Sequence, residues 1–151
     1  MSSQSALASE SVAVVATIDP DAYTAATYSG DWIAMKDFER AMAVVMAGTL
    51  GSSATVDAKL QQATDSSGTG AKDVSGKSIT QLTQAGSDDD KQAVINIRGE
   101  ELDVANGFDY VRLQVIVGTA TSDAGAIVLG INPRYAPASD NDLASVDEIV
   151  S

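Results

Sequence analysis

Residues 109–119, Asp-Tyr-Val-Arg-Leu-Gln-Val-Ile-Val-Gly-Thr, constrain the chain more than any other stretch. Val111, Leu113, Val115 and Val117 fall on one side of an extended strand, and Tyr110, Arg112, Gln114 and Ile116 on the other. A helix would scatter these residues around its axis and cost the β-branched ones their side-chain freedom. The stretch is expected to be a central strand with one face in a core and the other mostly wet.

Its partners are legible by the same alternation. Residues 55–63 set Val56, Ala58 and Leu60 against Asp57, Lys59 and Gln61; residues 93–98 set Ala93, Ile95 and Ile97 inward and Val94, Asn96 and Arg98 outward. Residues 126–131 read as an almost wholly apolar strand. Residues 1–11 are small and polar, expected to be disordered unless held. Residues 12–18 read as a short strand, stopped by Asp19-Pro20-Asp21 because proline lacks an amide donor, and residues 22–30 as a loop or arm. Turns and loops are expected at 51–53 and 65–70, a polar stretch at 71–86, and a connector at 99–107 in which Asn106-Gly107 tolerates positive φ. Residues 32–50 admit two readings. Trp32, Met35, Phe38, Met42, Val45 and Met46 suit one helical face capped by Asp37, while strands would run over 31–38 and 40–49. In the tail, Leu143, Val146 and Ile149 at intervals of three predict one or two helical turns, with Asp140 or Asp142 as cap, whose apolar strip needs a partner.

Short strands at this spacing indicate an all-β fold, an antiparallel β-sandwich or jelly roll with an extended N-terminal arm and a short C-terminal tail. The boundaries that follow are an arm over 1–30, a sandwich over 31–135 and a tail over 136–151. Alanine accounts for 24 residues and aromatics for 5% of the chain, so the core is expected to be thin and built from Val, Ile, Leu and Met.

Charge and missing residue types exclude several functions. With 21 acidic against 9 basic residues the net charge is −12, which disfavours nucleic acid and an anionic membrane surface as partners. The absence of Cys and His removes thiolate nucleophiles, the commonest general base and the commonest transition-metal ligand. The start lacks the basic flank and long apolar segment of a signal peptide, and residues 12–18 are too short to span a bilayer, so a soluble product made in the cytoplasm is expected.

No motif carries a catalytic, cofactor or metal assignment. Ala71-Lys-Asp-Val-Ser-Gly-Lys-Ser78 fits a relaxed phosphate loop in which Lys77 would meet phosphates and Ser78 a magnesium ion, but its first glycine is Ala71 and no buried strand and helix flank it. Asp88-Asp89-Asp90 and Asp140-Asn141-Asp142 lack the glycine and distal Glu of a calcium loop and read as solvated charge. Glu100 and Glu101 are adjacent, which gives no reason for them to face one substrate. Tyr110 and Arg112 suit an interface, where both types are enriched. The interface candidates are Val12, Val14, Ile18, Trp32, Tyr110, Arg112, Leu143, Val146 and Ile149.

Residues 31–135 resemble a group of small virion proteins of tailed phages. The likeness is carried by a hydrophobic strand, then Thr55-Val-Asp-Ala-Lys-Leu-Gln-Gln62, Ile79-Thr-Gln-Leu-Thr83, Asp109-Tyr-Val-Arg-Leu-Gln-Val115 and Val128-Leu-Gly130. It implies a β-sandwich and favours strands over a helix at 32–50. It further implies a decoration or cement protein on the capsid surface of the virion, partnered by the major capsid protein and by its own copies, a trimer being favoured. The N-terminal arm would then reach across subunits, and removing residues 1–18 would spare the fold. The alternative is a tail or fibre component, such as a carbohydrate- or receptor-binding module.

Overall fold

Ten strands carry the described residues, 6–151, of the computed structural model. They are β1 (Val12–Tyr23), β2 (Ala26–Ser29), β3 (Ile33–Ala34), β4 (Phe38–Ala47), β5 (Thr55–Ala63), β6 (Lys72–Ser78), β7 (Leu82–Thr83), β8 (Gln92–Arg98), β9 (Tyr110–Gly118) and β10 (Ser122–Pro133). One sheet has the order β1-β10-β4-β8; the other has the order β2-β9-β5-β6, with β3 added beside β9 and β7 beside β5. Every pairing is antiparallel. The fold is a two-sheet antiparallel β-sandwich with no α-helix among the described residues.

The core follows from the alternation. In β9, Val111, Leu113, Val115 and Val117 are at most 2% exposed, and they pair in register with the alternating strand β5: Leu113 with Leu60, Val115 with Ala58, Val117 with Val56. The four-stranded sheet meets these larger side chains with small ones, Ala41, Ala43 and Ala47 from β4 and Ala124 and Gly130 from β10, joined by Val45 and Val128. Large residues of one sheet thus fill the space that alanines of the other leave, the packing that brings two sheets within about 10 Å.

Several expectations change. Residues 32–50 form no helix: β3 is two residues long, a turn over 35–37 follows, and β4 begins at Phe38, so the first of the two expected strands is largely a turn. Asp19-Pro20-Asp21 does not end β1. Pairing with β10 slips between Ile18 and Asp21 and resumes through Tyr23 opposite Ser122, because a bulge on an edge strand accommodates the missing proline amide. Residues 26–29, expected as loop or arm, pair with β9 from Ala26–Val117 to Ser29–Gln114. From Val12 onward the expected arm is therefore built into both sheets, and a chain without residues 1–18 lacks half of β1. Ahead of it, Ala8–Glu10 forms a 3-10 turn, while residues 1–5 of the expected disordered lead lie outside the described residues. The polar stretch 71–86 contains β6 and β7.

The C-terminal tail makes a 3-10 turn at Ala138–Asn141 and one further turn, in which the Val146 amide donates to the Leu143 carbonyl (3.0 Å), and is otherwise irregular in place of the expected helical turns. The Asp142 carboxylate accepts a hydrogen bond from the Val14 amide (2.8 Å), and the Leu143 amide donates to the Val14 carbonyl (2.9 Å). Both free backbone groups of Val14 on the edge strand are thereby satisfied, and this docking of Asp142 and Leu143 on the strand edge competes with helix formation in the tail.

Candidate functional site

The two outer faces of the sandwich differ sharply in chemistry. On the four-stranded sheet the register sets out four rows across β1, β10, β4 and β8. Val12, Ile131, Arg40 and Arg98 form the first and Val14, Leu129, Met42 and Asn96 the second. Thr17, Ile127, Val44 and Val94 form the third, and the fourth brings together Gly125, Met46 and Gln92. Charge is confined to the ends. The first row carries Arg40 and Arg98, with Glu39 (3.8 Å) and Glu100 (3.0 Å) as their exposed ion-pair partners. The opposite end carries Asp19, Asp21 and Asp123.

The two central strands of this sheet are inside-out in size. β4 sends Ala41, Ala43, Val45 and Ala47 into the core and Met42, Val44 and Met46 outward; β10 sends Ala124, Ala126, Val128 and Gly130 inward and Ile127, Leu129 and Ile131 outward. Met46 and Val94 are each 53% exposed. Burial favours the opposite placement, at about 25 cal/mol per Å² of apolar surface, so a sheet whose larger residues face out has its most apolar surface waiting for a partner. Beside the β1 bulge this face dips into a concavity of about 720 Å³ lined by Pro20, Met46, Gly125 and Ile127, with Asp19, Asp21 and Asp123 at its margin. Gly125 fits closely there, since a Cβ would lie 3.0 Å from the Pro20 Cα and the bulge would have to give way to admit it.

The outer face of the six-stranded sheet is polar and internally paired. Arg112 donates through Nε and Nη2 to the Gln61 side-chain oxygen (3.1 and 2.9 Å), Gln61 donates to Asp73 (3.0 Å), and the Lys59 ammonium lies 3.1 Å from the same carboxylate. The Gln61 amide and Lys59 hold Asp73 below the usual carboxylate pKa. Trp32 is covered by the Arg112 guanidinium, 4.6 Å from its ring centroid, and by Gly68, whose φ of +82° and 2.7 Å approach of a Cβ to the indole nitrogen leave no room for a side chain. Gln114, expected to face solvent, is buried and donates to Ser29 Oγ (3.0 Å).

The remaining sequence candidates disperse. Val12 and Val14 lie on the apolar outer face, half-buried at its β1 side; Ile18 is in the core. Tyr110 is half-buried on β9 opposite Ala34 and Ala63. Leu143 and Val146 are half-buried in the tail, and Ile149 is exposed. The phosphate-loop candidate is strand β6, and Lys77 pairs with Glu101 at 2.9 Å. Lys77 first, then the Arg98 amide, hold Glu101 below its usual pKa, while Glu100 pairs with Arg98, so the two adjacent glutamates serve different cations. Asp88 accepts from the Thr83 amide (2.9 Å) and Lys91 (3.0 Å), and Asp89 from the Leu50 amide (3.1 Å). Among the described residues no three acidic side chains converge as metal ligands would, and no helix is long and apolar enough to cross a membrane.

Sequence reasoning missed Met42, Val44, Met46, Val94, Ile127, Leu129 and Ile131. The signal was present: an antiparallel strand with one wet face alternates, whereas Ala41-Met-Ala-Val-Val-Met-Ala47 and residues 126–131 are apolar throughout.

The sequence matches no protein-family model and no curated protein. Among solved structures it is similar to the crystal structure of PirA, with a TM-score of 0.43 and 15% identity, covering 75% of this chain and 93% of that one. It is similar to a cryo-EM structure of broad bean stain virus, with a TM-score of 0.44 and 11% identity over 90% and 93% of the two chains. A third likeness, to the infectious bursal disease virus Gx strain, has a TM-score of 0.45 and 14% identity and covers 85% of this chain but 35% of that one. What the chain does has to be read from its own two faces.

Proposed function

We propose that the chain is a non-enzymatic structural protein of a tailed-phage virion, a decoration or cement protein on the outer capsid surface that works through contacts with the major capsid protein and with its own copies. The inside-out outer face of the four-stranded sheet carries this reading: Met42, Val44, Ile127 and Leu129 make a continuous apolar surface that the described residues leave only half-buried. Such a surface suits a protein partner, since apolar patches larger than a few hundred Å² mark interaction sites. The net charge of −12 favours the outside of a shell over contact with packaged DNA. Attachment at many lattice positions lets each contact be modest, because a lattice raises avidity without new contacts.

The test is the copy number of the chain relative to the major capsid protein in purified particles of the encoding phage, by quantitative mass spectrometry. The expected value is comparable to that of the shell protein. A handful of copies would move the chain to a tail, fibre or unique vertex, and absence from the particle would discard the virion reading.

A further inference from the structure

We infer that the occupant of this apolar face is a second copy of the chain, related by a two-fold axis that lies between the two sheets and runs perpendicular to their strands. The inference rests on reading the face as a protein-docking surface, and it names the partner.

A two-fold interface presents one patch to itself, so each feature of the patch must find its complement within it. Val128 of β10 pairs with Ala43 of β4 at the middle of the face. An axis over that pair, perpendicular to the strands, lays each strand over its own counterpart with direction reversed. Leu129 then meets Ile127 and Met42 meets Val44, the two most apolar rows closing on each other. Ile131 comes to the Gly125 end of the face, where Pro20 covers Gly125 and the concavity opens beside it between Pro20, Met46 and Ile127. A large residue thus comes beside a hollow.

The charges agree with the same axis. Reversal brings the arginine end of one copy to the acidic end of the other: with each strand over its own counterpart Arg40 comes over Met46 and Arg98 over Gln92, while Asp19 and Asp21 on β1 and Asp123 on β10 lie one to three strands to the side, so the charges balance end to end without direct ion pairs. Those three carboxylates form no ion pair among the described residues, and the two arginines have only exposed carboxylate partners, which bind weakly. An axis parallel to the strands would stack the acidic ends on each other and would set β10 over β4, bringing Leu129 against Met42. Four strands at about 4.8 Å and seven residues at about 3.4 Å give a footprint of roughly 450 Å² per copy before side-chain relief, so the pair approaches the roughly 1,000 Å² of a specific interface.

Sedimentation velocity of the full chain from low micromolar to near-millimolar concentration should show a monomer–dimer equilibrium. Val44→Glu should hold the chain monomeric without moving its thermal transition at dilute concentration. Because the chain has no cysteine, a single nitroxide label on Glu39→Cys, four residues from Ala43 at the exposed start of β4, reads the orientation. The perpendicular axis sets the two labels of a dimer about 30 Å apart and the parallel axis about 11 Å apart, from a rise of about 3.4 Å per residue, strands about 4.8 Å apart and sheets about 10 Å apart. A wild-type chain that stays monomeric, a trimer mass, or an inter-label distance of about 11 Å would overturn the inference. A monomer in solution that is still abundant on particles removes the two-fold pairing and leaves the virion reading standing; a dimer in solution absent from particles does the reverse.

Discussion

Val44 and Val45 are neighbours on β4 that point to opposite faces, so one substitution made at each position measures whether the outer face is free. Val45 is 0% exposed. Replacing it by Thr keeps the branched shape, removes one buried methyl worth about 0.8 kcal/mol, and leaves a hydroxyl without a partner, at about 1–3 kcal/mol from comparable core substitutions. Val45→Thr should therefore cost about 2–3 kcal/mol, which for a chain of this size lowers Tm by about 5–10 °C. Val44→Thr turns the same hydroxyl toward water and should stay within about 0.5 kcal/mol of wild type at a dilution where the chain is monomeric. Raising protein concentration should then separate Val44→Thr from wild type, because association stabilises only the folded state that retains the docking surface. Thermal unfolding followed by far-UV circular dichroism at two concentrations reads all three quantities. Equal costs for the two variants at high dilution would show that Val44 is packed within its own chain, and the docking face would not exist.

Removing residues 1–18 takes Ala13, Val15, Ala16 and Ile18 from the core and leaves β10 without half of its partner; a loss on the scale of the whole stability, about 5–15 kcal/mol, should abolish the cooperative melt and leave the chain open to proteolysis. Acid should destabilise the protein through Asp65, Asp73, Asp88, Glu101 and Asp103, whose pKa values are held below the ordinary 3.8 for Asp and 4.5 for Glu by hydrogen bonds and by Lys59, Lys91, Lys77 and Lys72. Their contribution is complete above the unfolded-state values and is lost as pH falls through the lower folded-state ones, so Tm should be level above about pH 5 and drop below about pH 4.5; a level Tm down to about pH 2 would contradict this. Asp142→Ala removes the acceptor for the Val14 amide and should cost about 1 kcal/mol, with faster hydrogen exchange at Val14 and Leu143 but not at the β4 amides.

Legibility in the sequence tracked how unequal a strand's two sides are. β9 and β5 have one dry and one wet face, so alternation located both and assigned their inward residues correctly. β10 was legible as a strand but not as a surface, since an apolar run has no phase that says which half faces out. β4 carried helical spacing by coincidence, because Met42, Val45 and Met46 fall three and four apart while occupying opposite faces of a strand. β6 buries only Val74, and an edge strand with one core residue looks like loop. In β1 the proline suggested a stop, whereas the bulge that absorbs it depends on register with β10, which lies more than 100 residues on, as at Ile18 and Ala126. Trp32 and Arg112 were singled out separately; that they stack on each other follows only from the pairing of β3 with β9, which brings Trp32 beside Arg112.

The contrast between the two faces bears on how an assembly of this chain would end. A chain with two adhesive faces would stack without limit, and a free strand edge would extend the sheet from copy to copy. Here the six-stranded sheet spends its outward Arg112, Gln61, Asp73 and Lys59 on one another, and the Val14 backbone on the β1 edge is occupied by Asp142 and Leu143 of the tail. A surplus of twelve negative charges opposes indiscriminate contact elsewhere. The apolar face of the four-stranded sheet remains, and a two-fold axis across it pairs it with itself, so the pairing inferred above closes and contact with a capsid falls to the polar outer faces of the two six-stranded sheets. The same strands, β4 and β10, line the core on one side and the apolar face on the other. Alanine inward lets the two sheets approach, and the methionine, isoleucine and leucine kept outside are then available to bind, which places folding and assembly on opposite sides of one sheet and makes them separable by substitution.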